Sequence, residues 1–342
     1  MGGAQREQAA LHFPHGVSRV CSKSFGGTFT QNSPPFHVAF IATSYLYIMR
    51  CDLHVHTAAS GMCNTPGVRR ICRESYNNPA ELYSRLKQRG MSLVTITDHD
   101  SIDAAESLRR YPDFFVSEEV TCTLPSGTQM HLGVYGIAER EHQEIQRRRN
   151  DFLALLMYLT ERKLFFSVNH VFSGLTGHRS EEDFQWFASY VPAYETRNGQ
   201  MPPQQNAAAE RLAARHRKIS IGGSDAHTLA HAGATYTEVS GAHTIDEFFT
   251  GLRAGRGVIH GAHGSYAKLT GDVLRIAGAF FREKPAALLL APLAALVPVI
   301  TFRHWLHEQR FCRQWVSLLE EDVPAPQMLW DLDAQWETNG LR

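Results

Sequence analysis

The sequence predicts an α/β protein whose parallel sheet closes into a β/α (TIM-like) barrel, followed by a C-terminal helical appendage. Three observations predict it. From Met49 onward about seven strand-like runs alternate with helix-like ones, the pattern of a parallel sheet. Nearly every such run finishes in His, Asp or Glu, whereas an open doubly wound sheet gathers its ligands mainly at one switch point. After about Lys268 the chain changes to an Ala-, Leu- and Pro-rich stretch with few charges.

Residues 1–48 show no helical or strand period, and Gly, Ser, Thr, Asn and Pro dominate Ser22–Pro35. No basic start leads into an apolar core and a small-residue cleavage site, so no secretory signal is read. Met49, just ahead of the first motif, is the expected native start, with 1–48 an extension that is not native. The alternative is a genuine arm in which His37–Ile48 completes a strand.

The apolar run Tyr45–Met49 leads into Cys51-Asp52-Leu53-His54-Val55-His56-Thr57. In a strand, residues i and i+2 share a face, so His54 and His56 project together. Asn78-Pro79 opens a helix through Gln88, with Pro at the first helical position and Gly90 beyond the end. Leu93–Thr97 reads as a strand ending in Asp98-His99-Asp100. Phe114–Ser117 runs into Glu118-Glu119, and Met130–Tyr135 carries His131. Glu139–Lys163 reads as one long helix, with Phe152, Leu155, Leu156 and Leu159 as its apolar stripe. Leu164–Val168 ends at Asn169-His170, and Tyr190–Tyr194 leads to Glu195. Pro203–Arg217 is Ala-rich and helical, and Ile219–Gly223 ends in Ser224-Asp225-Ala226-His227. Thr244 and Glu247 form a capping box for a helix to Arg253, and Gly257–His260 is a short last strand.

The boundaries that follow are an extension at 1–48, a barrel at 49–267 and an apolar helical appendage at 268–342. Pro285–Phe302 contains no charged residue, close to the ~18 residues of a membrane-span candidate. Pro292 and Pro298 interrupt it. It reads either as a helix covered by the domain or a partner, or as a site of membrane association. Hydrophobic residues make up 43% and charged residues 20% of the 342, which is globular, and the formal net charge is zero, which gives no field for nucleic acid. The six cysteines form no Cys-x-x-Cys pair and no regular framework, which points to a reducing cytoplasm.

Imidazole and carboxylate groups at strand ends suit zinc, manganese or iron. His54, His56, His99, Glu119, His131, His170, Asp225 and His227 exceed what one ion uses, so two or three divalent ions are implied. One Glu among many His can bridge adjacent ions through its two oxygens.

Asp-Leu-His-Val-His-Thr (52–57), Thr-Asp-His-Asp (97–100) and Gly-Ser-Asp-Ala-His (223–227) resemble the motifs of the PHP (polymerase and histidinol phosphatase) superfamily. The resemblance covers about Met49–His263. It implies a distorted seven-stranded β/α barrel with a metal cluster, usually of three ions, that hydrolyses phosphate esters. By position, His54, His56, Glu119 and Asp225 would hold the first ion. Glu119, His131 and His170 would hold the second, and His99 with His227 the third. Family members often add a His or Asp for the third ion shortly after the first motif; here Ala58–Cys63 offers none. The third site is then weak, completed by water, or filled by a Cys63 thiolate, although Cys63 also reads as an ordinary loop cysteine. Glu119, which leads into Val-Thr, matches the family, and Glu118 is expected to support the ligands from behind.

The expected activity is hydrolysis of a small phosphomonoester or a nucleotide. Divalent ions lower the pKa of bound water to about 7, giving a metal-bound hydroxide, and clamp the attacking and leaving oxygens. Asp98, His99 and His227 are the expected catalytic residues, with Asp98 accepting a hydrogen bond from a ligand histidine or serving only as a turn residue. Arginine binds two phosphate oxygens better than lysine. Arg179 and Arg197 are the expected substrate contacts, ahead of Arg69, Arg70 and Arg73, with Glu195 and Asn198 lining the pocket. Two other readings stay open: a nuclease or proofreading exonuclease, and a non-catalytic metal-binding module of a larger polypeptide. No Gly-x-x-x-x-Gly-Lys-Ser/Thr loop occurs.

Overall fold

The structure, a computed structural model, describes residues 47–63 and 69–320, all within one compact unit, Tyr45–Arg342. The expected extension at 1–48 (but for Tyr47 and Ile48), the His37–Ile48 strand alternative (but for the same two residues) and the chain after 320 lie outside these residues.

The strands are β1 (Ile48–Cys51), β2 (Ser117–Thr123), β3 (Gln129–Tyr135), β4 (Phe165–Val168), β5 (Ala193–Asn198), β6 (Ile219–Gly223), β7 (Thr235–Ser240) and β8 (Gly257–Gly261). The helices are α1 (Pro79–Gln88), α2 (Glu139–Arg148), α3 (Phe152–Glu161), α4 (Glu181–Tyr190), α5 (Pro203–Arg215), α6 (Ile245–Arg253), α7 (Tyr266–Glu283) and α8 (Val297–Glu320). A 3-10 segment, Pro285–Leu296, joins the last two.

The seven-stranded β/α barrel is not what the chain builds. Two separate sheets form: a five-stranded sheet ordered β2-β3-β4-β5-β6 and a three-stranded sheet ordered β1-β7-β8. The larger sheet is antiparallel from β2 to β4 and parallel from β4 to β6, and the smaller one is wholly antiparallel. Connection length accounts for part of this. A parallel crossover needs a dozen or more residues, and the turn between β2 and β3, with Gly127 at positive φ, is far shorter. Closure fails for a second reason, at the segments between the sheets. After β1 and around Leu93–Thr97 the chain makes only isolated bridges, Val55 to Ala226, Val94 to Phe114 and His99 to Glu119. Side chains take the backbone donors that a ladder would use: Asp52 accepts from His54 N and Ser224 N, Thr97 from Val55 N, and Asp98 from Thr57 N.

Local signals hold closely. Asn78 caps α1 through Ala80 N and Glu81 N with Pro79 in the first turn, and Thr244 caps α6 through Glu247 N. The expected long helix from Glu139 is broken into α2 and α3, because Asp151 turns out of helical geometry and caps Ala154 N.

Two buried apolar layers flank the sheets. One joins Leu82, Leu86, Val120, Leu132, Leu155, Phe166 and Phe187, and the other joins Leu53, Phe115, Phe165, Ile221, Phe248 and Phe249. The uncharged run after α7 is not covered by the domain: Leu289 is 90% exposed, and Leu288, Leu293 and Ile300 are also exposed. By length and composition Pro285–Ser317 is one helix able to cross a membrane.

Candidate metal centre

The ends of β1, β2, β4 and β6, with the middle of β3 and the turn after Thr97, converge on one buried spot. Gly223, ending β6, makes the approach possible, since a Cβ there would meet His54 N and Cβ at 2.4 Å. Asp225 and His170 then leave their strands with positive φ, 50° and 30°, a costly conformation for residues other than glycine that clusters at functional sites.

Glu119 is the hub. Its Oε2 lies 3.2 Å from His54 Nε2 and 3.4 Å from His56 Nε2, while its Oε1 lies 3.2 Å from His170 Nε2 and 3.4 Å from His131 Nδ1. Asp225 Oδ1 faces the same two histidines, 3.6 Å from His54 Nε2 and 3.4 Å from His56 Nε2. The two carboxylate oxygens therefore face two different ligand sets.

The donors are oriented from behind. His54 Nδ1 donates to Glu195 Oε1 at 2.8 Å, which turns Nε2 toward Glu119. His56 Nδ1 donates to Ser60 Oγ at 2.9 Å, and Ser60 donates to Asp98 Oδ1 at 2.7 Å. Asp98 thus reaches a ligand-type histidine only through Ser60, and also accepts from Thr57 N and Oγ1. Asn169 Nδ2 donates to Glu119 Oε1, and Asn198 Nδ2 donates to both Asp225 Oδ2 and Glu195 Oε2. Sequence reasoning placed Glu195 and Asn198 at the pocket but gave no role to Ser60 or Asn169, whose short polar side chains carry no ligand signature. Glu118 points the other way, to His142 and Gln146 on α2, because adjacent strand residues alternate faces.

A third group was missed altogether. Glu74 Oε1 lies 3.4 Å from His227 Nε2, and its Oε2 lies 3.5 Å from His99 Nε2. Met62 bridges Arg73 in antiparallel register, Cys63 N donates to Cys72 O and Glu74 N donates to Gly61 O, so this ribbon returns the chain to the site. Cys63 joins the ribbon through its backbone N, and its thiol belongs to none of the ligand clusters found among the described residues. An acidic residue in the long loop after the first motif was the available signal, but Glu74 stands far beyond the stretch in which such a ligand is expected.

Charge within the cluster is strongly paired. Burial opposes the charge of His54, yet Glu119, Asp225 and Glu195 hold its pKa well above the ordinary value. Against burial, Glu119 and Glu74 hold His99 up to about 9, and Glu74 does the same for His227. Burial, with His227 beside it, pushes His56 down to about 3. Glu119, Asp225 and Glu74 stay well below their usual range despite burial, held by the surrounding imidazoles.

The arrangement suits divalent cations. Ligand atoms at ~2.1 Å from a tetrahedral ion stand ~3.4 Å apart, and the separations above run from 3.2 to 3.6 Å. His54 Nε2, His56 Nε2 and His227 Nε2 are buried and find no hydrogen-bond partner among the described residues, a costly state that an ion would relieve. His54, His56 and Asp225, and separately His54, Glu119 and His170, bring three donor atoms each within 4.8 Å of one another.

The two expected substrate arginines bond to backbone and side-chain partners outside the ligand clusters. Arg179 is 7% exposed, and its guanidinium donates to Gln129 O, His178 O, Thr176 Oγ1 and Met130 Sδ. Arg197 is half-buried, donates to Ile259 O of β8, and sits near enough to His263 to add to the burial that lowers its pKa.

A family model, PHP_C (PHP-associated), matches residues 203–256, from the start of α5 to just past α6. Among solved structures, PsfC from Pseudomonas syringae is 15% identical with a TM-score of 0.50, covering 70% of this chain and 99% of its own, a likeness of fold. A metal-dependent phosphoesterase from Bifidobacterium adolescentis is 14% identical with a TM-score of 0.36, covering 59% and 95%. The lesion-specific endonuclease EndoQ from Pyrococcus furiosus is 15% identical with a TM-score of 0.45, covering 62% and 58%. No curated protein sequence matches the chain.

Proposed function

We propose that this chain is a metal-dependent hydrolase of the PHP superfamily that cleaves phosphate esters, with small phosphomonoesters or nucleotides as its substrates. The observation that supports the reading is the division of Glu119, one oxygen toward His54, His56 and His99 and the other toward His131 and His170, with Asp225 facing His54 and His56 from the other side.

We assign His54, His56, Glu119 and Asp225 to a first ion, Glu119, His131 and His170 to a second, and His99, His227 and Glu74 to a third. When bound, divalent ions supply Lewis acidity toward phosphoryl oxygens and bring the pKa of water near neutrality. The chain's own part is preorganisation. Glu195 fixes the tautomer of His54, and the Asp98–Ser60 pair fixes that of His56. Asn169 and Asn198 hold the two acidic donors against rotation. His99 and His227, mostly buried but on the open edge of the cluster beside the more exposed Glu74, face the side from which an ester would enter. Zero net charge favours a small ester over a nucleic-acid strand. The free thiols Cys51, Cys63, Cys72, Cys122 and Cys312 favour a reducing compartment.

A phosphate-release screen tests this: purified chain with added Mn²⁺ or Zn²⁺, across monoesters, nucleotides and oligonucleotides. Turnover of monoesters or nucleotides that disappears with chelator supports the reading. Cleavage confined to oligonucleotides would make the chain a nuclease, and bound metal without turnover would make it a binding module.

A further inference from the structure

From the exposed apolar segment between α7 and α8 we infer that this protein docks on the surface of an anionic lipid bilayer, dipping that segment into the interface without crossing the membrane. Residues 285–302 carry no charge. Leu288, Leu289, Leu293, Leu296, Val299 and Ile300 are all exposed, and Leu289 is 90% so. A contiguous apolar surface of this kind marks an interaction site.

The chemistry of the segment selects the occupant. A protein interface carries about one hydrogen bond per 100–200 Å², yet Thr301 is the one polar side chain in this run, and its Oγ1 is spent on Val297 O and Thr270. Pro285, Pro292 and Pro298 lack a backbone N–H, and the 3-10 and α-helical turns satisfy most of the others internally. Acyl chains ask for neither donor nor acceptor, so the segment suits lipid better than a protein partner. Its flanks carry a net positive charge: Arg282 and Lys284 precede it, with Glu283 between them paired to Arg73, and Arg303 follows, complementary to anionic headgroups. Phe302 and Trp305 stand at the same end, where interfacial aromatic residues sit.

Both ends of the segment return to one body, which decides between lying on and spanning. Lys284 Nζ donates to Ile71 O beside the Glu74 ribbon, and Arg73 pairs with Glu283. On the far side, Tyr266 of α7 donates to Pro298 O, and Glu308 accepts from Gly174 N and Gln205 Nε2. Phe311 and Trp315 are buried. A helix so fastened along α7 and over the loop after His170 cannot leave the domain to cross a bilayer; it forms an interfacial anchor beside the loops that carry Glu74 and His170.

The test is flotation of the purified full chain with phosphatidylcholine vesicles, with and without phosphatidylglycerol. The wild type is expected to float with the mixed vesicles and less with phosphatidylcholine alone. Leu289→Glu, Leu293→Glu and their combination are expected to lower the bound fraction about tenfold with unchanged thermal melting, since both side chains face solvent. Arg282→Gln with Arg303→Gln should remove the preference for the anionic lipid. A wild type that stays at the bottom of the gradient, or leucine variants that float as well as it does, would overturn the inference. So would a dimer in light scattering that Leu289→Glu dissociates while no vesicle binding is seen, because the face would then belong to a second copy. The assay needs no turnover, so it and the phosphoesterase reading fail independently.

Discussion

Glu74 reaches His227 across the mouth of the cluster, with Oε1 3.4 Å from the imidazole Nε2, although the two residues are far apart in sequence. Its other oxygen faces His99 at 3.5 Å. As the proposed acidic donor of a third site, it predicts a stoichiometry. Glu74→Gln should lose one ion per chain in elemental analysis while His54-side binding persists. Equal metal content in variant and wild type would return Glu74 to a simple ion-pairing role.

Asp225→Asn and His54→Ala should each lower hydrolysis of an aryl phosphate by at least about a hundredfold while circular dichroism stays native. Asparagine tolerates the positive φ of residue 225, so the Asp225 variant separates chemistry from folding. Retained turnover in either would move the site elsewhere.

Ser60→Ala removes the link between Asp98 and His56, and an acceptor of His99 N, while leaving every proposed ligand residue in place. Loss of such an orienting partner costs about 10–100-fold in metal affinity. Competition with a chelator measures it, and an unchanged affinity would show that His56 needs no support from Ser60.

Metal loading should release protons. In the metal-free chain His99 and His227 have pKa values raised to about 9, so both are protonated at pH 7. Ligand histidines bind metal only when neutral, so loading at pH 7 must expel both of these protons, in addition to that of His54, whose pKa is also raised, and apparent affinity must rise with pH. Calorimetry in buffers of different ionisation enthalpy counts them. Uptake at pH 7 with no proton release would exclude these two histidines as ligands.

Arg179 and Arg197 should behave differently. Arg179→Ala empties a buried position and strips donors from the part-buried Gln129 O and Thr176 Oγ1, and is expected to cost about 1–3 kcal/mol of stability in denaturant titration. Its KM for phosphate esters should hold. Arg197→Ala should raise KM with metal content unchanged if Arg197 contacts the phosphate, and no kinetic change would assign it to the β5–β8 contact alone.

The sequence by itself pointed to the candidate ligands. His54 and His56 are one strand repeat apart, and His99, Glu119, His170 and Asp225 each follow an apolar run, so they are found by local pattern, although Glu119 lies inside β2 as its third residue and not at a strand end. Helix starts at Asn78 and Thr244 were equally local. Tertiary structure alone decided how the sheets join and what surrounds the ligands. A barrel was expected because strand ends looked equivalent, but Asp52, Thr97 and Asp98 take up the backbone donors that closure requires, and the short β2–β3 turn forces antiparallel pairing. Glu74 and Ser60 were invisible for the same reason. Their roles depend on where a ribbon and a turn bring them in space, and one sequence spacing is compatible with many such paths.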